Sequence, residues 1–329
     1  DMPRTYLSIA GAEVPDRMPG RIFMGRDSEE APEVVLLFSG RFDEAPDMSR
    51  GITDGRWKYI RNYEPDRPRY QMLSYPWNQS GQVSQYYEYR GGRTNAAQSA
   101  QYLPQPPEEL YDTKNDPHEI NNLANDNRYL AKLYLMRKKL NKKMLDANDA
   151  GFIPEPLMAR IDQDRSTTIY NYANSENNYP LEEIIEIANI ASMQDPDYIP
   201  LFKKNLKNPN PIIRYWSILG LRVLGKQARP ALFSIEEALS DSEASVRITA
   251  AICLGNLDSR NKASSILIDE ARKAQTDIHA NWALDGIKYL GESLDDKNYS
   301  KEDLVKGNYS LRTYQHIIDE GTMYTPKHY

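Results

Sequence analysis

The chain has 329 residues, of which 40% are hydrophobic, and its 41 basic and 47 acidic side chains give a net charge of −6. At roughly 150 residues per domain, this length predicts about two domains. No run approaches the ~18 consecutive apolar residues of a membrane span, and neither half is polybasic, so we expect no membrane span and no strong nonspecific binding of nucleic acid. The single cysteine, Cys253, excludes an intramolecular disulfide and a multi-cysteine zinc site.

The first half of the chain predicts a small antiparallel sheet with packed helices, an α+β arrangement. Gly11 is placed to end a short helix, and the Asp54-Gly55 pair between two β-prone segments indicates a hairpin. The other predicted elements, in chain order, are a buried strand at 34–39, an irregular tyrosine-rich segment at 64–105, a short strand at 109–112 and an amphipathic helix at 127–148.

The second half repeats at an interval of 33 residues. Arg214 aligns with Arg247, and the same offset places Leu221, Leu254 and Ile287 in one register. A fixed period of this size is typical of stacked helix pairs, so we predict an all-α HEAT-like solenoid. The chain then divides into an α+β subdomain (1–157), a polar connector (158–180), HEAT-like repeats (181–310) and a C-terminal tail (311–329).

Familiar catalytic motifs are missing from the sequence. The four histidines lack metal-ligand spacing, and there is no Gly-rich phosphate loop or Gly-x-Ser-x-Gly elbow. His279 and Cys253 fall within the repeats, where we interpret them as packed residues and not as a ligand or a nucleophile. We therefore expect no catalytic residue and no metal site in this chain.

Polar and aromatic residues mark a candidate binding surface. Arg41, Asp43, Glu44 and Arg50 surround the start of the predicted hairpin, where arginine could pair with an anionic group and carboxylates could accept sugar hydroxyls. The alternative for these charges is a salt-bridged strand end. The chain also has 23 Tyr against 6 Phe, a bias that suits wet or carbohydrate-facing surfaces.

Three segments together resemble the C-terminal part of formylglycine-dependent sulfatases. They are "DMPRTYLSIAGAEVPDRMPGRIF" (1–23), "GRFDEAPDMSRGITDGRWKYIRNY" (40–63) and "EELYDTKNDPHEINNLA" (108–124). The third segment carries the family's Glu-Leu-Tyr-Asp…Asp-Pro-x-Glu-x-x-Asn-Leu signature, which we interpret as a structural loop. The form of the sequence after the hairpin is similar to bacterial polysaccharide sulfatases of the heparan N-sulfatase-like type.

The resemblance implies what the chain contributes and what it lacks. In this family a Cys or Ser in Cys/Ser-x-Pro-x-Arg becomes formylglycine and acts beside a divalent cation, usually calcium. The sequence contains neither form of that motif, so we expect the nucleophile and the calcium in an upstream catalytic half and expect this chain alone to be inactive. The implied role is to shape the pocket for a sulfated polysaccharide, with candidates Arg41, Asp43, Glu44, Arg50, Tyr70, Gln71, Tyr75 and Trp77.

Several questions stay open at this point. The sequence opens at Asp1 without the features of a signal peptide, and a periplasmic or secreted location is implied by the family only. The substrate could be an O-sulfate or an N-sulfate. Two other functions are a non-catalytic HEAT-like scaffold and a stand-alone module for sulfated glycans. The repeats could bind a protein partner or mediate self-association.

Overall fold

A computed structural model describes residues 1–71, 73–294 and 299–323, without the side chains of Phe42 and residues 319–323. The strands are β1 (Val35–Phe42), β2 (Ala45–Thr53), β3 (Trp57–Asn62) and β4 (Glu108–Asp112). The helices of the first half are α1 (Met2–Ile9), α2 (Ser74–Trp77), α3 (Ser80–Arg90), α4 (Ala96–Ser99), α5 (Leu130–Asp146), α6 (Glu155–Asp164) and α7 (Ile169–Ala173). Those of the second half are α8 (Leu181–Ala191), α9 (Ile199–Asn205), α10 (Pro211–Val223), α11 (Leu232–Ala238), α12 (Ala244–Asn256), α13 (Arg260–Lys273), α14 (Asp277–Tyr289), α15 (Lys301–Leu304) and α16 (Asn308–Met323).

The strands form one antiparallel sheet in the order β1-β2-β3-β4. The predicted hairpin joins β2 to β3, and Gly55 at its turn has a φ of +89°, which glycine adopts without strain. The Asp54 carboxylate accepts the backbone N–H groups of Arg56 and Trp57 at 3.1 and 2.7 Å. The Asp-Gly signal therefore identified this turn correctly.

Helix α5 covers the sheet with its apolar side, which the spacing of apolar residues in the sequence predicted. Leu133, Met136, Leu140 and Met144 are buried in one cluster with sheet residues, whereas Leu130 at the first turn is 52% exposed. The α+β prediction for this half is confirmed.

The second half is helical throughout the part that the structure describes, and its helices pack in the order α8, α10, α12, α14, α16. Arg214 and Arg247 make equivalent contacts, because each donates to two carbonyls in the loop before its own helix. Cys253 is fully buried, and burial raises the pKa of its thiol to about 12, as expected for an inert core residue. His279 is half-buried beside Glu270, at 3.1 Å.

The sheet and the helices share a continuous core. Tyr63 at the end of β3 contacts Phe152 and Trp216 with ring centroids 5.0 and 5.7 Å away, and the Trp216 indole N–H donates to the Phe152 carbonyl at 3.0 Å. Helix α6 crosses the 157/158 boundary and packs on α12 and α14. Helix α16 crosses the 310/311 boundary, and residues 324–329 of the expected tail lie outside the described residues.

The segment 64–105 differs from its prediction because it contains α2, α3 and α4. Helix α3 has no buried residue, so its sequence lacks the apolar stripe that would have indicated a helix. Two of its half-buried tyrosines, Tyr86 and Tyr89, instead line a cavity.

Within the described ranges, none of the helices is both long enough and apolar enough to cross a membrane.

Candidate functional site

A cavity of about 680 Å³ lies between the segment 66–102 and the helices α12 and α14. Its walls combine aromatic rings with charged and amide groups. The lining residues are Asp66, Arg67, Pro68, Tyr70, Gln71, Tyr86, Tyr89, Arg90, Tyr102, Asn256, Lys288 and Tyr289.

Four tyrosines form one aromatic wall. Tyr89 stacks on Tyr102 with centroids 4.4 Å apart and planes inclined by 20°, and Tyr70 and Tyr86 meet Tyr102 edge to face at 5.0 and 5.7 Å. Each ring is held by at least one other, so this wall presents aromatic surface in a fixed arrangement.

Tyr289 supplies an aromatic ring on the opposite, helical wall. Its hydroxyl donates to Asp66 at 2.9 Å, and the Arg67 guanidinium lies 5.0 Å from its ring centroid. Burial raises the pKa of Tyr289 to about 12 and does the same to Tyr70. Both phenols therefore remain neutral hydrogen-bond donors at physiological pH.

Beneath the cavity lies a network of buried ion pairs that joins the two halves of the chain. Arg222 of α10 binds both carboxylate oxygens of Asp66 at 2.9 Å and Glu64 at 2.8 Å. Arg67 binds Glu64 at 3.0 Å and Asp285 of α14 at 2.8 Å. Burial by itself would raise the pKa of Asp66, but the pairing with Arg222 outweighs it and lowers the pKa. The charges are thus paired and fix the two walls relative to each other.

Two of the eight candidates from the sequence, Tyr70 and Gln71, line this cavity. Gln71 is buried; its amide donates to the Pro46 carbonyl at 2.9 Å and accepts from Arg67 at 3.3 Å. Trp77 stands next to the cavity, edge to face with Tyr86 at 5.3 Å. Tyr75 is 71% exposed and is not among the lining residues.

Arg41 and Asp43 lie at the β1–β2 turn, where they contact other elements. Arg41 pairs with Glu155 at 3.4 Å and stacks on Tyr309 at 4.4 Å. Asp43 pairs with Arg312 of α16 at 2.6 Å. Arg41 and Asp43 therefore lie at this turn and not in the cavity that Tyr70 and Gln71 line.

Glu44 is fully buried next to His316 of α16. Its carboxylate lies 2.8 Å from the His316 ring nitrogen and accepts the backbone N–H and the hydroxyl of Ser74 at 2.7 and 2.9 Å. Burial raises the pKa of Glu44, but the hydrogen bonds from His316 and Ser74 outweigh it and lower the pKa to about 2. Glu44 thus holds α16 and the start of α2 together.

Arg50 lies inside the protein. Its guanidinium is buried, binds both oxygens of Asp149 at 2.5 and 3.1 Å, and donates to the Ser39 and Ser49 carbonyls at 2.8 and 2.9 Å. These bonds satisfy the side chain within the protein and hold β2 to the segment that carries Asp149.

The sequence missed most of the cavity. The cluster Tyr86-Tyr87-Glu88-Tyr89 is a local signal that could have drawn attention to α3. Nothing local pairs it with Lys288 and Tyr289, which reach the cavity only through the tertiary fold.

The family-like loop at 108–124 behaves as the sequence predicted. Asp116 accepts the Asn121 backbone N–H at 2.7 Å, and the Glu119 carboxylate binds Lys58 of β3 at 2.7 Å. Asn122 accepts from Leu110 at 3.0 Å and donates to the Glu108 carbonyl at 2.9 Å. These side chains shape the loop and attach it to the sheet.

In the described part of the chain, no three His, Cys, Asp or Glu side chains come together in a way that could hold a metal ion. The calcium that the resemblance implies is expected in the upstream catalytic half and not at these residues.

Comparison with known proteins gives two matches. No family model matches the sequence. One ulvan-active sulfatase from Formosa agariphila is 33% identical over 156 residues, which are 47% of this chain and 26% of that protein. Another ulvan-active sulfatase from the same organism is 31% identical over 150 residues, 44% of this chain and 27% of that protein. The chain thus spans about a quarter of the length of the curated relatives that it matches, and it contains a sulfatase-related region.

Proposed function

We propose that this chain supplies part of the substrate-binding surface of a sulfatase that acts on a sulfated polysaccharide. The observation that carries the proposal is the cavity that Tyr70, Tyr86, Tyr89 and Tyr102 line together with Tyr289. Aromatic rings offer a flat apolar surface to the C–H face of a sugar, while phenol and amide groups bond its hydroxyls. The similarity to ulvan-active sulfatases supports this class of ligand.

The chemistry of sulfate release would come from residues outside this sequence. Formylglycine and calcium belong, in this proposal, to the catalytic part of the sulfatase, and the chain alone is inactive. A periplasmic or secreted location follows from the same proposal. Arg41, Asp43 and Tyr75 are proposed to contact substrate outside the cavity, whereas the buried Glu44 acts by positioning α16. The helices α8–α16 are proposed to form a HEAT-like solenoid.

One observation favours a second candidate, a glycan-binding module without catalysis. The lining combines aromatic rings with amide and charged groups, and binding a sugar requires no more than such groups. A non-catalytic scaffold is the weaker alternative, because protein scaffolding gives no reason for a cavity walled by tyrosines.

Calorimetric titration of the chain with ulvan oligosaccharides tests the proposal. We expect binding, and we expect Tyr89→Ala to weaken it about tenfold because a stacking surface is removed. Tyr170→Ala is the matched control, since Tyr170 is 76% exposed and does not line the cavity. Absence of binding by the unaltered chain, or equal effects of the two substitutions, would contradict the proposal.

Sulfate release by the chain joined to its catalytic part separates the two candidates. If the chain shapes the substrate site, Tyr89→Ala lowers kcat/KM for the polysaccharide. If binding falls while kcat/KM is unchanged, the glycan-binding module is the correct function.

A further inference from the structure

We propose that Asp47 of β2 binds a proton in the folded chain and loses it as the solution changes from mildly acidic to neutral, which weakens the junction between the sheet half and the helical half. The inference goes beyond the proposed function and does not depend on it, because it concerns the stability of the fold and not the ligand.

A small cavity lies at this junction, apart from the cavity that the tyrosines line. Its volume is about 30 Å³, and three acidic residues border it: Asp47, Glu64 from the segment after β3, and Glu155 from α6. Asp47 and Glu64 are only 4% and 5% exposed, so bulk water hardly reaches their carboxyl groups. The junction therefore holds several acidic groups in a place where charge is costly.

The two buried carboxyl groups are unequally supplied with cations. Glu64 pairs with Arg67 at 3.0 Å and with Arg222 at 2.8 Å. Among the described residues Asp47 has no ion pair, and its buried Oδ1 atom has no hydrogen-bond partner. A buried carboxylate oxygen without a donor disfavours the charged form of the group. The arrangement thus leaves the negative charge on Glu64 and the proton on Asp47.

The electrostatic surroundings of Asp47 agree with this assignment. Burial is the largest influence on its pKa, and repulsion by Glu64 adds to it. A hydrogen bond from the Met48 backbone and attraction by Arg67 and Arg69 act in the opposite direction but are outweighed, so the pKa of Asp47 is raised to about 6.

The helices that border the same small cavity offer a charged Asp47 no cation from its described lining. Glu155 of α6 is acidic and pairs with Arg41 at 3.4 Å. Tyr215 of α10 stays neutral because burial raises its pKa. Helix α14 presents Trp282, whose indole N–H donates to Glu155 at 3.1 Å. A negative charge on Asp47 therefore meets further acidic groups and gains no new partner.

Loss of the proton places a second negative charge beside Glu64, within the ion pairs that join the two halves. Arg67 serves both Glu64 and Asp285 of α14, so a charged Asp47 competes for the same guanidinium. Arg67 and Gln71 also line the larger cavity, and the Gln71 amide donates to the carbonyl of the residue before Asp47 at 2.9 Å. The proton thus acts on the junction directly beneath the proposed binding site.

Urea unfolding of the unaltered chain and of Asp47→Asn between pH 4 and 7.5 tests the inference. Asparagine has the shape of protonated aspartic acid and is neutral throughout this range. Because the pKa of Asp47 in the folded chain lies above its ordinary 3.8, the unaltered chain should lose stability relative to the variant as the pH rises from about 4 to 6. Its unfolding constant should grow about a hundredfold relative to that of Asp47→Asn. Asp162→Asn, which changes an exposed aspartate of α6, is the control and should follow the unaltered chain at every pH.

A ratio between the unfolding constants of the unaltered chain and Asp47→Asn that stays within about threefold from pH 4 to 7.5 overturns the inference. If Asp47→Asn does not fold, the carboxyl ¹³C shifts of the unaltered chain with labelled aspartate decide instead. An aspartate that titrates near pH 6 supports the inference, and titration of every aspartate below about pH 5 overturns it. Glycan binding enters neither measurement, so failure here leaves the proposed function standing.

Discussion

At the scale of single residues, environment decided the role of each charged candidate. Arg50 and Glu44 looked equivalent in sequence to Arg41 and Asp43, because all four surround one turn. The structure buries Arg50, whose three guanidinium nitrogens all donate hydrogen bonds, and buries Glu44, whose Oε1 accepts from Ser74 and lies against His316, and it leaves Arg41 and Asp43 partly exposed. Burial of this kind depends on segments that are distant in the chain, such as Asp149 for Arg50.

Glu44 gives a prediction about the pH dependence of stability. Its pKa is lowered to about 2 in the folded chain from an ordinary 4.5, so the carboxylate stabilises the fold above about pH 4.5. That stabilisation is lost as pH falls from about 4.5 towards 2. In Glu44→Gln the side chain no longer titrates. The free energy of unfolding should therefore fall less steeply as the pH decreases, with a slope that is smaller by up to about 1.4 kcal/mol per pH unit than in the unaltered chain.

Urea unfolding at pH 7, 5, 4 and 3 measures this slope. Hydrogen bonds from His279 and Arg247 likewise lower the pKa of Glu270 to about 2 despite its burial. Glu270 titrates in both proteins, so its contribution cancels when the two slopes are compared. Parallel profiles for Glu44→Gln and the unaltered chain would show that the carboxylate is not coupled to folding.

At the scale of elements, small residues recur at an interval of 33 positions in three helices of the second half. Gly220, Cys253 and Gly286 are 33 residues apart and lie in α10, α12 and α14. A Cβ atom at Gly220 would come within 2.6 Å of the Phe202 ring, and one at Gly286 within 3.0 Å of Leu267. Close packing between helices therefore limits side-chain size at this position.

Gly220→Ala should lower the free energy of unfolding by about 1–3 kcal/mol, because the Phe202 ring must shift in a filled core. Gly81→Ala in α3 is the matched control, since a Cβ atom there meets nothing within 4 Å. The control should be neutral or stabilising by up to about 1 kcal/mol, as alanine favours helix over glycine. Denaturant unfolding of both variants checks this, and equal effects would argue against tight packing at Gly220.

At the scale of the whole molecule, buried charges tie the sheet half to the helical half. Arg222 of α10 reaches Glu64 and Asp66, which follow directly after β3. The cavity depends on this junction, because its aromatic wall belongs to one half and its Lys288 wall to the other.

Arg222→Met should destabilise the chain by about 3–5 kcal/mol, because it leaves buried carboxylates without their main partner. Arg229→Met removes an exposed arginine that pairs with Asp258, and it should cost about 1 kcal/mol or less. Urea unfolding monitored by tryptophan fluorescence gives both values. A small effect for Arg222→Met would mean that this arginine contributes little to holding the two halves together.

The sequence by itself determined the elements whose signals are local. The Asp54-Gly55 turn, the β1 strand, the buried side of α5 and the helices of the second half all follow from turn chemistry or apolar periodicity, which neighbouring residues set. The resemblance to sulfatases also gave Tyr70 and Gln71 as candidates, and both line the cavity.

Only the tertiary structure decided where the site is. Helix α3 has no apolar stripe, because it packs no buried residue into a core and presents Tyr86 and Tyr89 to a cavity. Lys288 and Tyr289 are some 200 positions away from that helix in the chain, and no local pattern relates them. Arg67 and Arg222 form ion pairs with Glu64, Asp66 and Asp285, and these pairs bring the two walls together. Such pairing depends on contacts between segments that are distant in the chain.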